Sequence, residues 1–264
     1  MNAAMSRATL ARYVAIGDST TEGLEDPDGH GGYRGWANRL AEHLARAQGP
    51  IEYANLAIRG LTARQVRVGQ LEQAVAMRPD VATVVAGVND LLRPSFALDE
   101  VAQDIAVMIH RFREEGAVVL TFTMPDMTRV LPLARILRGR LLALNQRLRE
   151  TCAASGALLL DLEHHEVAGD PRLWHHDRLH ANTLGHERIG AGLAHRLGLP
   201  GHGAAWAEAL PPAPRRTPLE IARGELDWAH QHLLPWVARH ARGRSSSDGR
   251  GPKRPALSVF SPEP

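Results

Sequence analysis

Residues 14–23 read VAIGDSTTEG. An apolar run stops at a glycine, and an acid and a serine follow at once. A serine on the first turn outside a buried strand is either an ordinary loop residue or a nucleophile held at the mouth of a sheet. Gly, Asp and Ser are common in loops, so the decision rests on what the other strand ends deliver.

The run around it, RYVAIG (12–17), reads as a strand. Downstream, Trp36, Leu40 and Leu44 recur every four residues in WANRLAEHLARA (36–47), the face of a helix. IEYANLA (51–57) is a second strand, and Val66, Leu71 and Val75 suit a helix over 62–77. DVATVVAG (80–87) has the β-branched run of a buried parallel strand. Val101, Ile105, Met108 and Phe112 line the next helix, and AVVLTFT (117–123) is a fourth strand. A long helix around 135–154 precedes a fifth strand, ALLLDL (157–162). Asn182 or Thr183 then caps a helix through Leu197. Strands alternating with helices predict βαβ units and a mainly parallel sheet, with the site at the carboxyl ends of the strands.

The strand ends carry chemistry in register. The first delivers Gly17-Asp18-Ser19, and Gly60 follows the second. The third delivers Gly87-Val88-Asn89-Asp90, and LWHHDRLHANTLGH after the fifth contains Asp177 and His180. Taken singly, Ser19, Gly60 and Asn89 are ordinary turn or cap residues, and His180 is one of 14 histidines. Taken together they make a working set. A serine hydroxyl needs a base, a role His180 fills, and Asp177 on its other nitrogen sets the tautomer and stabilises the imidazolium. The backbone N–H groups of Ser19 and Gly60 and the side-chain amide of Asn89 supply donors for an oxyanion.

These four blocks resemble the SGNH (GDSL-type) hydrolase superfamily, named for a Ser, Gly, Asn and His in separate blocks. Ser19 in GDST, Gly60 in LAIRG, Asn89 in GVND and Asp177 with His180 in DRLH match them, over roughly residues 10–198. Thr20 stands where the first block has Leu. The resemblance implies a three-layer α/β/α fold with a flavodoxin-like five-stranded parallel sheet. It also implies a serine esterase, without metal or cofactor, acting on small ester or thioester substrates. Short acyl esters, acetylated sugars and lysophospholipids all remain open.

Composition bounds the rivals. The 264 residues are 44% hydrophobic and suffice for one large α/β domain plus an extension. The net charge of +2 does not point to nucleic acid. Lys253 is the only lysine, so Schiff-base and Ser-Lys chemistry in the main body are excluded. One cysteine, Cys152, excludes an intrachain disulfide and a multi-Cys zinc site, and reads as a helix-packing residue. No serine sits in the G-x-S-x-G elbow of an α/β-hydrolase. His164, His165, His175, His176, His180 and His186 crowd one region, but H-E-x-x-H is absent and no metal is expected. Without an apolar leader or span, the expected location is cytoplasmic.

The expected organisation is a catalytic domain over 1–198, a linker and amphipathic helix over 199–242, and a basic, disordered tail over 243–264. Leu219, Ala222, Leu226, Ala229, Leu233 and Val237 mark the helix face, interrupted at Pro235. DPDGHGGYRG (26–35) is a candidate gate, and 126–139, with Leu131, Leu133 and Leu137, a candidate rim for acyl contact. A binding protein working through the basic tail is the reading from a different functional class.

Overall fold

The strand β1 (Arg12–Gly17) has no solvent-facing side. Tyr13 and Ala15 enter one apolar core, Val14 and Ile16 another, and all four are fully buried. Side chains alternate across a strand, so a strand apolar on both faces demands a layer of helices on each. The structure, a computed structural model, describes residues 9–213, 217–233 and 246–261 and supplies those layers.

After β1 come a one-turn helix α1 (Ser19–Glu22), α2 (Gly35–Gln48), β2 (Ile51–Asn55), α3 (Ala63–Ala76), β3 (Val81–Val85) and a short α4 (Val88–Leu91). The chain continues with α5 (Leu98–Glu114), β4 (Val118–Phe122), α6 (Arg138–Ser155), β5 (Leu158–Leu160), α7 (Thr183–Arg196), α8 (Pro218–Trp228) and β6 (Arg254–Phe260). The sheet order is β5-β4-β3-β1-β2-β6. The first five strands are parallel, and β6 runs antiparallel against β2. Helices α3, α5 and α6 cover one face through Val66, Met108, Phe112 and Leu144. Helices α2 and α7 cover the other through Trp36, Leu40, Leu44 and Leu193. The apolar faces expected for 36–47, 62–77 and 101–112 are the buried ones.

The end of β1 shows why a glycine closes it. A Cβ on Gly17 would lie 2.4 Å from Thr21 Oγ1 and 2.4 Å from the Val85 carbonyl oxygen. Only glycine lets α1 fold back this tightly on the sheet. The buried side chain of Gln70 then acts as a surrogate strand: Gly17 N–H donates to its Oε1, and its Nε2 donates to the Gly17 carbonyl, both at 2.9 Å. Asn55, also buried, donates to the Thr21 carbonyl at 2.9 Å and ties β2 to α1.

Four expectations change. The sheet has six strands rather than five. The sixth comes from the tail expected to be disordered, because RPALSVF lies inside a Ser-, Gly- and Arg-rich stretch and lacks a clean apolar alternation. Pro255 is tolerated there because an edge strand needs donors on one side only. Phe260 packs edge-to-face on Tyr53 with centroids 5.4 Å apart, and the Arg254 guanidinium lies 5.4 Å from the Tyr53 ring centroid. Lys253 Nζ, its pKa lowered to about 8 by burial, donates to the Tyr33 and Arg34 carbonyls at 2.9 Å each. The candidate gate over 26–35 is therefore a closed turn: Pro27 bridges Tyr33, Asp28 accepts from His30 and Gly32 N–H, and Lys253 caps it from outside. In α8, Leu226 is 72% exposed, so it does not share the packed face assigned to it. Pro235 and Val237 lie outside the described residues.

Ending the chain at Ser245 removes β6 and leaves the β2 edge unpaired. It should destabilise the fold by on the order of 2–4 kcal/mol, the scale of burying Leu257 and Phe260, and promote self-association. Urea melts with light scattering test this; a truncated chain as stable and monodisperse as the full one would contradict the role given to β6.

Candidate active site

The rim where β1 and β3 end carries the expected residues, each set by a local device. Asp18 caps α1, its Oδ1 accepting from Thr20 N–H at 3.1 Å, which places Ser19 on the first turn. Ser19 is 8% exposed. Gly60 sits at φ +79°, a left-handed position suited to glycine, in the loop after β2. That loop is held to α1 by Glu22, which accepts from the Arg59 backbone N–H at 2.8 Å and from its guanidinium. Asn89 lies in α4, directly after β3.

Asp177 and His180 lie on a closed turn. Trp174 bridges Ala181, and His175 N–H donates to the His180 carbonyl at 2.9 Å. Within it the Asp177 Oδ1 accepts the backbone N–H groups of Leu179 and His180 at 2.9 and 3.0 Å. Arg178 takes the left-handed φ of +60° that the turn requires. Asn182, which accepts from Gly185 N–H at 3.0 Å, caps α7 and fixes where the turn ends.

Three of the expected residues meet directly. His180 Nε2 lies 3.0 Å from Ser19 Oγ, and His180 Nδ1 lies 2.7 Å from Asp177 Oδ2. Burial would raise the Asp177 carboxyl, but the hydrogen bond and charge of His180 and two backbone N–H donors hold it far below the usual carboxylate range. It is therefore ionised at neutral pH. Asn89 bridges the other two blocks: its Nδ2 donates to the Leu61 carbonyl at 3.0 Å and to Asp18 Oδ2 at 3.3 Å. Asn89 thus touches the chain neighbours of Gly60 and Ser19.

The sequence marks Asp18 only as part of a tripeptide, yet it is 1% exposed and joins Ser19 to Asn89. Burial lifts its pKa to about 6. Glu22 and Arg59, which position the Gly60 loop, carry no sequence signal because their pairing spans 37 residues. His186 is no surface residue or ligand. It is buried, its Nδ1 accepts from Trp36 N–H at 3.1 Å and its Nε2 donates to the Leu24 carbonyl at 2.8 Å. Burial pushes its pKa down to about 4, so it stays neutral. Cys152 is buried in α6 with its thiol raised to about 11 by burial, an unreactive packing residue. Among the described residues, ligand-type atoms of Glu25, His175 and Asp177 lie within 4.8 Å of one another. Asp177 there is already engaged by His180. Among the described residues no helix is long and apolar enough to cross a membrane.

The Asp18 shift has a sign. Its folded pKa lies above the unfolded value near 3.8, so the charged form is disfavoured in the fold, and stability falls as pH rises from about 4 through 6. Relative to Asp18→Asn, which does not titrate, the wild type should lose roughly 2 kcal/mol between pH 4 and pH 7. Denaturant melts of both proteins at four pH values measure the difference; a gap independent of pH would mean that Asp18 is not titrating in this range.

The sequence pattern of the GDSL-like Lipase/Acylhydrolase family matches residues 15–188. No curated protein matches the sequence. Among solved structures, the chain is similar to LAE5, an alpha/beta hydrolase enzyme from the metagenome of Lake Arreo, Spain. The identity is 20% and the TM-score 0.61, covering 73% of this chain and 97% of that one. It is also similar to TesA, with 22% identity, TM-score 0.59 and coverage of 70% and 97%. A third similar structure is a variant of Axe2, an acetyl xylan esterase from Geobacillus stearothermophilus, with 18% identity, TM-score 0.60 and coverage of 72% and 95%. At these identities the structures speak for the fold, the α/β arrangement described above. With its blocks in order at one rim and the pattern matched over most of its length, the chain belongs to the GDSL-like lipase/acylhydrolase family of ester-cleaving hydrolases.

Proposed function

We propose that the protein cleaves carboxylic esters or thioesters through an acyl-Ser19 intermediate, with His180 as general base and acid and Asp177 as its orienting partner. The observation that supports this most is the unbroken line from Ser19 Oγ to His180 Nε2 at 3.0 Å and from His180 Nδ1 to Asp177 Oδ2 at 2.7 Å. An ionised Asp177 keeps the proton on Nδ1, leaving the Nε2 lone pair for the serine proton.

The reaction then needs no group from outside the chain except water. Ser19 Oγ bonds to the acyl carbon as its proton passes to His180 Nε2. The bond to the alcohol oxygen breaks, and the imidazolium returns that proton to the leaving group. Water attacks the acyl-serine next, giving its proton to Nε2. The acyl–Oγ bond breaks, the acid departs and Oγ recovers the proton. The oxyanion of each tetrahedral state is met by the Ser19 and Gly60 backbone N–H groups and by Asn89 Nδ2. Asn89 is preset for this: the longer of its two hydrogen bonds, 3.3 Å to Asp18, is the one to exchange for the oxyanion.

Acetyl xylan esterases among the similar structures make acetylated carbohydrate one candidate substrate, alongside short acyl esters and lysophospholipids. An acyl-length series of chromogenic esters, run beside acetylated sugars, separates them.

Ser19→Ala should abolish ester hydrolysis and leave the melting temperature within a few degrees of wild type; wild-type turnover would overturn the assignment. Asn89→Ala should lower kcat by roughly 10²–10³-fold with little change in KM, because its donor serves charge present only in the transition state. A rise in KM alone would make Asn89 a substrate-binding residue instead. Dialysis against EDTA should leave turnover unchanged. Loss on chelation, with recovery on adding zinc or manganese, would transfer the chemistry to the Glu25–His175–Asp177 cluster.

A further inference from the structure

The chain returns to the site after leaving the catalytic body. Helix α8 lies beyond residue 188, where the family pattern ends. A capping box starts it: Thr217 accepts from Glu220 N–H, and the Glu220 carboxylate accepts from Thr217 N–H at 2.7 Å. Its other end rests on the turn that carries Asp177 and His180. Trp228 Nε1–H donates to the Asp177 carbonyl at 3.0 Å. Arg178 Nη1 lies 2.8 and 2.7 Å from the two carboxylate oxygens of Glu225. The Arg178 guanidinium also sits 5.2 Å from the centroid of the Trp228 ring, within cation–π range, and its side chain is 17% exposed.

All of these contacts fall on two consecutive residues, 177 and 178. They fall where the backbone turns left-handed at Arg178, a conformation that a non-glycine residue adopts only when its surroundings hold it there. The peptide between them sets where the Asp177 carboxylate stands. Asp177 reaches His180 from only three residues away, so a small rotation of this turn moves Oδ2 off Nδ1. Displacements of about 1 Å in a reacting constellation cost on the order of 10²-fold in rate.

We propose that Trp228 and Glu225 are positioning residues for hydrolysis: α8 holds the 177–178 turn so that Asp177 Oδ2 meets His180 Nδ1. The proposal rests on the Ser19–His180–Asp177 reading. It gives the C-terminal extension a role in the reaction without contact to substrate. Trp228 acts through the Asp177 backbone, and Glu225 acts through Arg178. Leu226, between them in sequence, is 72% exposed and serves as an internal control on the same helix.

The test uses the full chain with Trp228→Phe, Glu225→Gln and Leu226→Ser. Trp228→Phe keeps an aromatic ring and removes the N–H; Glu225→Gln keeps the shape and removes the charge. Each should lower kcat roughly 3–10-fold, the scale of one lost hydrogen bond, with KM unchanged. The double variant should lose less than the product of the two, since both act on one turn. The downfield NMR resonance of the His180 Nδ1 proton should shift or broaden in both single variants and stay in place in Leu226→Ser. Unchanged kcat and an unchanged resonance in the folded variants would overturn the proposal. So would a rise in KM alone, which would make α8 a wall of the substrate site. If Trp228→Phe does not fold, Glu225→Gln alone decides. Ser19→Ala is assayed in parallel. If it abolishes turnover while the α8 variants behave as wild type, only the positioning role fails. If it retains turnover, the underlying triad reading fails first.

Discussion

A single 3.0 Å contact, Ser19 Oγ to His180 Nε2, joins residues 161 positions apart, and much of the polar interior serves to hold its two ends. One end is fixed by the close of β1. Gly17 admits α1 against β3, Gln70 satisfies the glycine's backbone, and Asp18 caps the helix turn that presents the serine. The other end is fixed by a turn whose own aspartate binds both its backbone and the imidazole. The parallel sheet makes the meeting possible, because its carboxyl edge brings separate loops to one rim.

Charge is distributed in that rim by burial. Asp18 and Asp177 are two carboxylates in one site with opposite fates. Asp18, nearly solvent-free and beside few positive groups, is pushed up to about 6. Asp177, half-wrapped in donors, is pulled down. The first organises hydrogen bonds around the serine and Asn89. The second stays anionic beside the imidazole. Environments that separate like groups in this way are a common mark of a working site. His186 shows the converse: a histidine in the crowded C-terminal region made inert by burial and two backbone partners.

Most of the body was legible in the sequence for a physical reason. Apolar runs such as VATVV and helix faces such as Trp36–Leu40–Leu44 are local patterns, and local patterns survive the loss of tertiary information. Ser19, Gly60 and Asn89 were legible because each lies just beyond a strand end, and Asp177 and His180 because an Asp three residues before a His lies in the long connection between β5 and α7. What failed was non-local. β6 hides in a tail whose overall composition is that of a disordered segment, and only its pairing with β2 makes it a strand. In α8, apolar spacing passes over Glu225 and Trp228, the polar and amphipathic groups whose bonds reach the turn at residues 177 and 178. Asp18–Asn89 and Glu22–Arg59 join residues that the sequence separates by 71 and 37 positions.

In the proposed reaction Ser19 Oγ is the atom that carries the acyl group. The direct measurement is intact-mass analysis of protein quenched in acid during turnover of an activated ester, or labelled with a fluorophosphonate, followed by peptide mapping. One adduct per chain is expected, on the peptide containing Ser19, absent in Ser19→Ala and strongly slowed in His180→Ala. An adduct on Ser95 or Ser155, or full labelling of Ser19→Ala, would contradict this.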